Sequence, residues 1–170
     1  AIQDAGISCW DTKYYYNGLR PSNAISDFRT LIGVPNFPGY ISGHSTFSRA
    51  GADILTLITG SEYFPNGLGT YEIKAFKKFI KFEKTPVKDV RLEWATYRDA
   101  SNQSSLSRIW GGIHPPFDDI PGRKIGSMVA KDVFDKATKL FYEDKDHDGY
   151  LSIDDCDDSN KKVYPGKKCK

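Results

Sequence analysis

The run Ser107-Arg108-Ile109-Trp110-Gly111-Gly112-Ile113-His114-Pro115-Pro116-Phe117-Asp118 packs a helix end, a tight return and a helix start into one short stretch. Upstream of it, Leu92, Trp94, Ala95, Tyr97, Ala100 and Leu106 recur at helical spacing, which predicts a helix over Val90–Trp110. Gly111-Gly112 break that helix, and Pro115-Pro116 suit the first turn of the next. His114 immediately precedes this start and Asp118 lies one turn on. A carboxylate there can hold one imidazole nitrogen, fix the tautomer and leave the other nitrogen electron-rich.

Outward from this run the chain reads as further helices. Ile2, Ala5, Gly6, Cys9, Trp10 and Lys13 mark a helix over residues 2 to about 17, ended by Gly18 and Pro21. Residues 22–41, rich in Pro, Gly and Asn, read as loop. Ser42 to Ile58 is a helix with Gly60 as its stop. Residues 61–90 read as an irregular excursion with one short helix or strand around Ala75, Phe76, Phe79, Ile80 and Phe82. A last helix runs from about 119 to 142, with Ile125, Met128, Val129, Val133, Ala137, Leu140 and Phe141 inward. The expected fold is all-α, a helical bundle over residues 1–143. An irregular tail over 144–170 begins where composition shifts to Asp, Asn, Gly and Lys.

The 170 residues suffice for one domain with a core. With 39% apolar and 27% charged residues and a net charge of +2, nothing suggests disorder or a general nucleic-acid surface. Apolar runs such as Ala52–Thr59 are too short to span a membrane. The basic residues Lys161, Lys162, Lys167, Lys168 and Lys170 read as a solvated end.

Two more segments carry chemistry. Lys13 and Arg20 are seven residues apart, two helical turns, so both cations can face one point, although Pro21 favours an extended Arg20. Ser42-Gly43-His44 opens a helix, where free backbone N–H groups attract anions and Gly43 permits close approach. Ser42 can donate its hydroxyl or simply cap the helix, and His44 would project toward a bound anion as a proton carrier. The set suits a tetrahedral oxyanion. His114 then attacks phosphorus or binds vanadium, the plainer alternative being a structural His–Asp contact.

The order and flanks of these segments resemble the acid phosphatase and vanadium haloperoxidase superfamily. Trp10-Asp11-x-Lys13-Tyr14, Tyr16, Phe37-Pro38-Gly39-Tyr40 and Ser107 to His114 look like the soluble haloperoxidase branch, its C-terminal catalytic half, from about Asp4 to Phe134. The resemblance implies vanadate as cofactor, with His114 as apical ligand and Lys13, Arg20, Ser42, Gly43 and Arg108 neutralising its oxygens. His44 would be the acid–base residue. Hydrogen peroxide, polarised by Lys13, and halide would be the substrates. The rival within the superfamily is a phosphatase acting on phosphate esters, with His114 as nucleophile, Asp118 as its orienter and His44 protonating the leaving oxygen. A non-catalytic scaffold is a third possibility. Ile41 stands where the family often has Pro. The family also carries helices before the first motif. Their absence predicts an apolar face covered by a missing N-terminal segment, a second chain or a homodimer partner.

In the tail, Asp144-x-Asp146-x-Asp148-Gly149-Tyr150-Leu151-Ser152-x-x-Asp155 fits an EF-hand-type calcium loop. Asp144, Asp146, Asp148, the Tyr150 carbonyl and Asp155 would be ligands, with Leu151 anchoring the loop inward and His147 outside the set. Asp157 and its neighbours could add a second site or be a solvated acidic run. Cys156 and Cys169 bracket a segment without a core of its own, so a disulfide is expected over two free thiols, and with it a secreted or periplasmic location. Cys9 reads as a buried thiol.

Overall fold

A computed structural model describes residues 1–77 and 80–169, so Phe79 and Lys170, named above, lie outside the described residues. It is mostly helical. Among the described residues the elements run α1 (Ile2–Tyr16), α2 (Pro21–Ala24), α3 (Gly43–Thr59), β1 (Gly69–Ile73), β2 (Val90–Trp94), α4 (Tyr97–Trp110) and α5 (Pro116–Tyr142). The chain divides into two compact units, Ala1–Lys131 and Asp132–Lys170. The division lies within α5, before the composition change after Glu143.

In the first unit α3 packs against α1 and α4. Ser42 caps α3, its Oγ accepting from the Ser45 N–H, and Gly60 ends the helix in the left-handed conformation. The start of α5 lies tight against α3. A Cβ on Gly122 would sit 2.9 Å from the Ser42 carbonyl oxygen, and one on Gly126 only 2.3 Å from that of Thr46.

Two expectations are corrected. Val90–Trp94 is a strand, paired antiparallel with β1 in a two-stranded sheet, so the unit is not purely helical. Val90-Arg91-Leu92-Glu93-Trp94 alternates apolar and polar residues, the period of a strand. The helix begins only after Thr96, where Thr96 and Asp99 exchange side-chain bonds in a capping box. Likewise α1 stops at Tyr16 with Asn17 left-handed, and Arg20 is extended, as Pro21 requires. Lys13 and Arg20 therefore do not share a helix face.

The interior of this unit is mostly polar. Ala5, Cys9, Ile41, Ala50 and Ile113 are buried, but so are Lys13, Arg20, Thr30, Ser42, Ser45, Thr46, Asp53, His114, Asp118 and Asp119. Large apolar side chains on α1 and α5, including Ile7, Tyr14, Phe117, Ile120 and Met128, are exposed. Among the described residues no helix is long and apolar enough to cross a membrane.

In the second unit the last carbonyls of α5 and the residue after it accept bonds from the tail. Ile153 N–H donates to Phe141 (3.0 Å) and Ser152 N–H to Glu143 (2.8 Å). A disulfide joins Cys156 to Cys169, and Tyr150 stacks on Tyr164 at 5.2 Å.

Candidate active site

His114 anchors the site. Gly112 takes a positive φ of 76° in the return before it, and Pro116 begins α5 immediately after Pro115. Asp118, in the first turn of α5, approaches the ring with Oδ2 2.6 Å from Nδ1. Arg20 Nη1 lies 2.8 Å from Nε2 and can only donate. These partners assign the proton to Nδ1 and the lone pair to Nε2. Burial holds the His114 pKa below its usual value, against the opposing pull of Asp118.

The cations arrive from three directions. Lys13, on the buried stripe of α1 below Ala5 and Cys9, is 1% exposed and donates to the carbonyls of Pro38 (2.9 Å) and Gly39 (2.8 Å). Burial, reinforced by Arg20, lowers its pKa to about 8. Arg20 donates to the carbonyls of Phe37 (3.2 Å), Pro38 (3.3 Å) and Ile113 (3.0 Å). Both cations lie over the Phe37 ring, at 5.3 and 5.2 Å. Arg108, in the last turn of α4, has a buried Nε with no partner among the described residues.

Lys13, Arg20, Gly43, His44, Arg108 and His114 line one cavity of about 120 Å³, closed by Trp10, Pro35, Phe37, Phe47 and Ile113. A Cβ on Gly43 would press on the Phe47 ring at 3.3 Å, tight enough that the ring would have to shift slightly. Gly43 and His44, the first two residues of α3, place the positive end of that helix at the cavity. His44 is exposed as a residue, yet it lines the cavity wall. Desolvation of its ring and the charges of Arg108, His114 and Lys13 lower its pKa to about 4. Ser42 is buried behind the turn as the helix cap and does not line this cavity.

The residues of three distant segments thus form one cation-lined cavity, in which the His114 Nε2 lone pair accepts from Arg20. The family model described as the VCPO second helical-bundle domain matches residues 26–143. The chain belongs to the vanadium haloperoxidase superfamily. Among solved haloperoxidases of this superfamily, it resembles the first bacterial vanadium-dependent iodoperoxidase, at 28% identity and a TM-score of 0.62, over 79% of this chain and 31% of that one. A holo-type bacterial vanadium-dependent chloroperoxidase, at 21% identity and 0.57, is matched over 67% of this chain and 24% of its own. An apo-type one, at 18% and 0.68, is matched over 80% and 34%. The last two likenesses speak to the fold alone. The chain spans about a third or less of each of these proteins. No curated protein matches it.

The loop before α3 holds what sequence reasoning missed. The Pro38 and Gly39 carbonyls that fix Lys13 carry no side-chain signature, although Phe37 within the same motif was visible. Asp119 and Ser45, bonded at 2.7 Å, also escaped notice.

In the second unit, carboxylate oxygens of Asp144, Asp146 and Asp148 lie within 4.8 Å of one another. Their inner oxygens also accept backbone N–H bonds from Asp148, Gly149 and Tyr150. Asp146 Oδ2, Asp148 Oδ2 and Asp155 Oδ2 are buried without a partner among the described residues. Asp155 is not in that triad; its carboxylate lies within 4.8 Å of the Cys156 and Cys169 sulfurs. Asp157 is turned to its neighbours instead: Oδ1 accepts from Ser159 Oγ. Leu151 is exposed rather than anchored inward, because the loop is held by backbone bonds through Ser152 and Ile153.

Proposed function

We propose that this chain carries the vanadate site of a vanadium-dependent haloperoxidase that oxidises halide with hydrogen peroxide. The observation that supports it is the convergence of Lys13, Arg20 and Arg108 on the cavity lined by His114, whose Nε2 accepts from Arg20 and would exchange that bond for the anion. Three cations plus helix-start amides suit a multiply charged oxyanion, and the orphaned Arg108 Nε is a donor awaiting such a partner. His114 would be the ligand, with Lys13, Arg20, Arg108 and the Gly43 and His44 amides holding the oxygens. Ser42 would hold the turn. The chemistry a bound vanadate supplies is activation of hydrogen peroxide toward a nucleophilic halide.

The residues do the rest. Asp118 keeps the His114 Nδ1 proton in place, so the lone pair stays on Nε2. Halide oxidation, X⁻ + H₂O₂ + H⁺ → HOX + H₂O, consumes a proton, and His44 stands at the cavity to hold it. Trp10, Phe37 and Phe47 place apolar rings beside the cations.

The test is to add vanadate and peroxide and follow halogenation of a phenol-type dye with iodide, bromide and chloride. Phosphate-ester hydrolysis without vanadate is measured beside it. Halogenation abolished by His114→Ala supports the haloperoxidase reading. Hydrolysis alone would replace it with the phosphatase, and neither activity, with no vanadate bound, would favour the scaffold.

A second proposal concerns the tail. Three buried, unpartnered carboxylate oxygens support a calcium ion held by Asp144, Asp146, Asp148, Asp155 and the Tyr150 carbonyl. We also propose an oxidising location, from the disulfide, and a covering partner for the exposed face of α1. That partner would be a further segment, a second chain or a copy of this one.

A further inference from the structure

Asp118 and Asp119 are adjacent buried carboxylates, 1% and 4% exposed, in the first turn of α5. Successive helical residues project about 100° apart, so the two serve different partners. Asp118 holds His114. Asp119 turns toward α3, where its Oδ1 accepts from Ser45 Oγ at 2.7 Å. Arg123 grips the same carboxylate in a fork, Nε to Oδ1 at 2.8 Å and Nη2 to Oδ2 at 2.7 Å. Its remaining arm, Nη1, donates to Asn102 Oδ1 on α4 at 2.5 Å.

Ser45 is fully buried, and its N–H donates to Ser42 Oγ, the cap of α3. The Ser42 N–H in turn donates to the Asp118 carbonyl at 3.1 Å. The two walls of the cavity are therefore tied twice. One wall is the start of α3 with its Gly43 and His44 amides. The other is the His114–Asp118 pair. The Asp119–Ser45 bond adds a side-chain tie one turn along α3, on the cavity side of the α3–α5 contact. Gly122 lets the walls close, since any Cβ there would meet Ser42 and Ser45 at 2.9 Å.

We propose that Asp119, oriented by Arg123, is a positioning residue of the oxyanion site: through Ser45 it sets the α3 amides at a fixed distance from His114. This rests on the cavity binding an oxyanion. Such outer contacts commonly govern how well a site holds its ligand.

The experiment is calorimetric titration of the chain with inorganic phosphate, comparing Asp119→Asn, Ser45→Ala, the double variant and Ser127→Ala. Ser127 bonds Asp53 at 2.5 Å in the same α3–α5 contact but away from the cavity, so it reports loss of packing alone. Asp119→Asn and Ser45→Ala should each weaken phosphate by about tenfold, with the double variant no worse than either, since they break one connection. The low-field proton resonance of His114 Nδ1–H should shift in both, and in Ser127→Ala neither affinity nor resonance should change. Should Asp119→Asn fail to fold, Ser45→Ala carries the test. Wild-type affinity and an unmoved resonance in folded Ser45→Ala would overturn the proposal. If the wild-type chain binds no phosphate, the oxyanion reading falls and the proposal with it.

Discussion

Lys13 holds a charge in a place that discourages it. Its folded pKa, about 8, lies below the ordinary 10.5 because burial outweighs its attractive partners. Between these values the unfolded chain binds more protons, so the Lys13 contribution to stability increases as pH rises from about 8 to 10.5. Oxyanion affinity should move the other way. Phosphate binding, followed by calorimetry, should weaken above about pH 8 as the ammonium is lost, and Lys13→Met should bind weakly without that step. His44 obeys the same logic from below. Free, it is neutral above about pH 4; a bound anion raises its pKa, so binding near pH 5 should take up protons. Titrations in buffers of different ionisation enthalpy would show that uptake. Arg108→Ala should weaken phosphate by about 10–100-fold, as expected for a charge-assisted contact. Its cost to stability should be small, because the buried Nε has no partner to lose among the described residues.

At the scale of elements, what was legible was what side chains announce. The Ser42 cap, the Gly60 stop and the Pro116 start lie where sequence placed them, because each acts through its own backbone preference. The strand at Val90–Trp94 was lost inside a helical stripe, since Leu92 and Trp94 satisfy either period; the Thr96–Asp99 box was the signal that separates them. The convergence of Lys13 and Arg20 was legible as an outcome but not as a route. The route depends on the Phe37, Pro38 and Gly39 carbonyls, and carbonyls are common to all residues. The α3–α5 contact was equally hidden, as it needs two glycines to be absent side chains. Gly126→Ala should destabilise by about 1–3 kcal/mol in urea unfolding despite its better helix propensity. The added carbon would meet the Thr46 carbonyl at 2.3 Å. Gly33→Ala, with nothing within 4 Å, should be near neutral.

For the whole molecule, the polar interior and the exposed Ile7, Tyr14, Phe117 and Met128 describe a site more complete than its surroundings. The matched region is about a third or less of each solved relative. In the tail, calcium should protect residues 144–155 from proteolysis, with EDTA reversing the protection and Asp146→Asn, Asp148→Asn abolishing it. A tail indifferent to calcium would remove that proposal while leaving the cavity untouched. His114 and the cations around it are proposed to bind vanadate. Vanadium-51 NMR of orthovanadate titrated with this chain tests it most directly. A broadened, shifted bound resonance is expected in the wild type, and its disappearance in His114→Ala at unchanged fold. A free-vanadate spectrum with the folded wild-type chain, or a bound signal that survives His114→Ala, would contradict it.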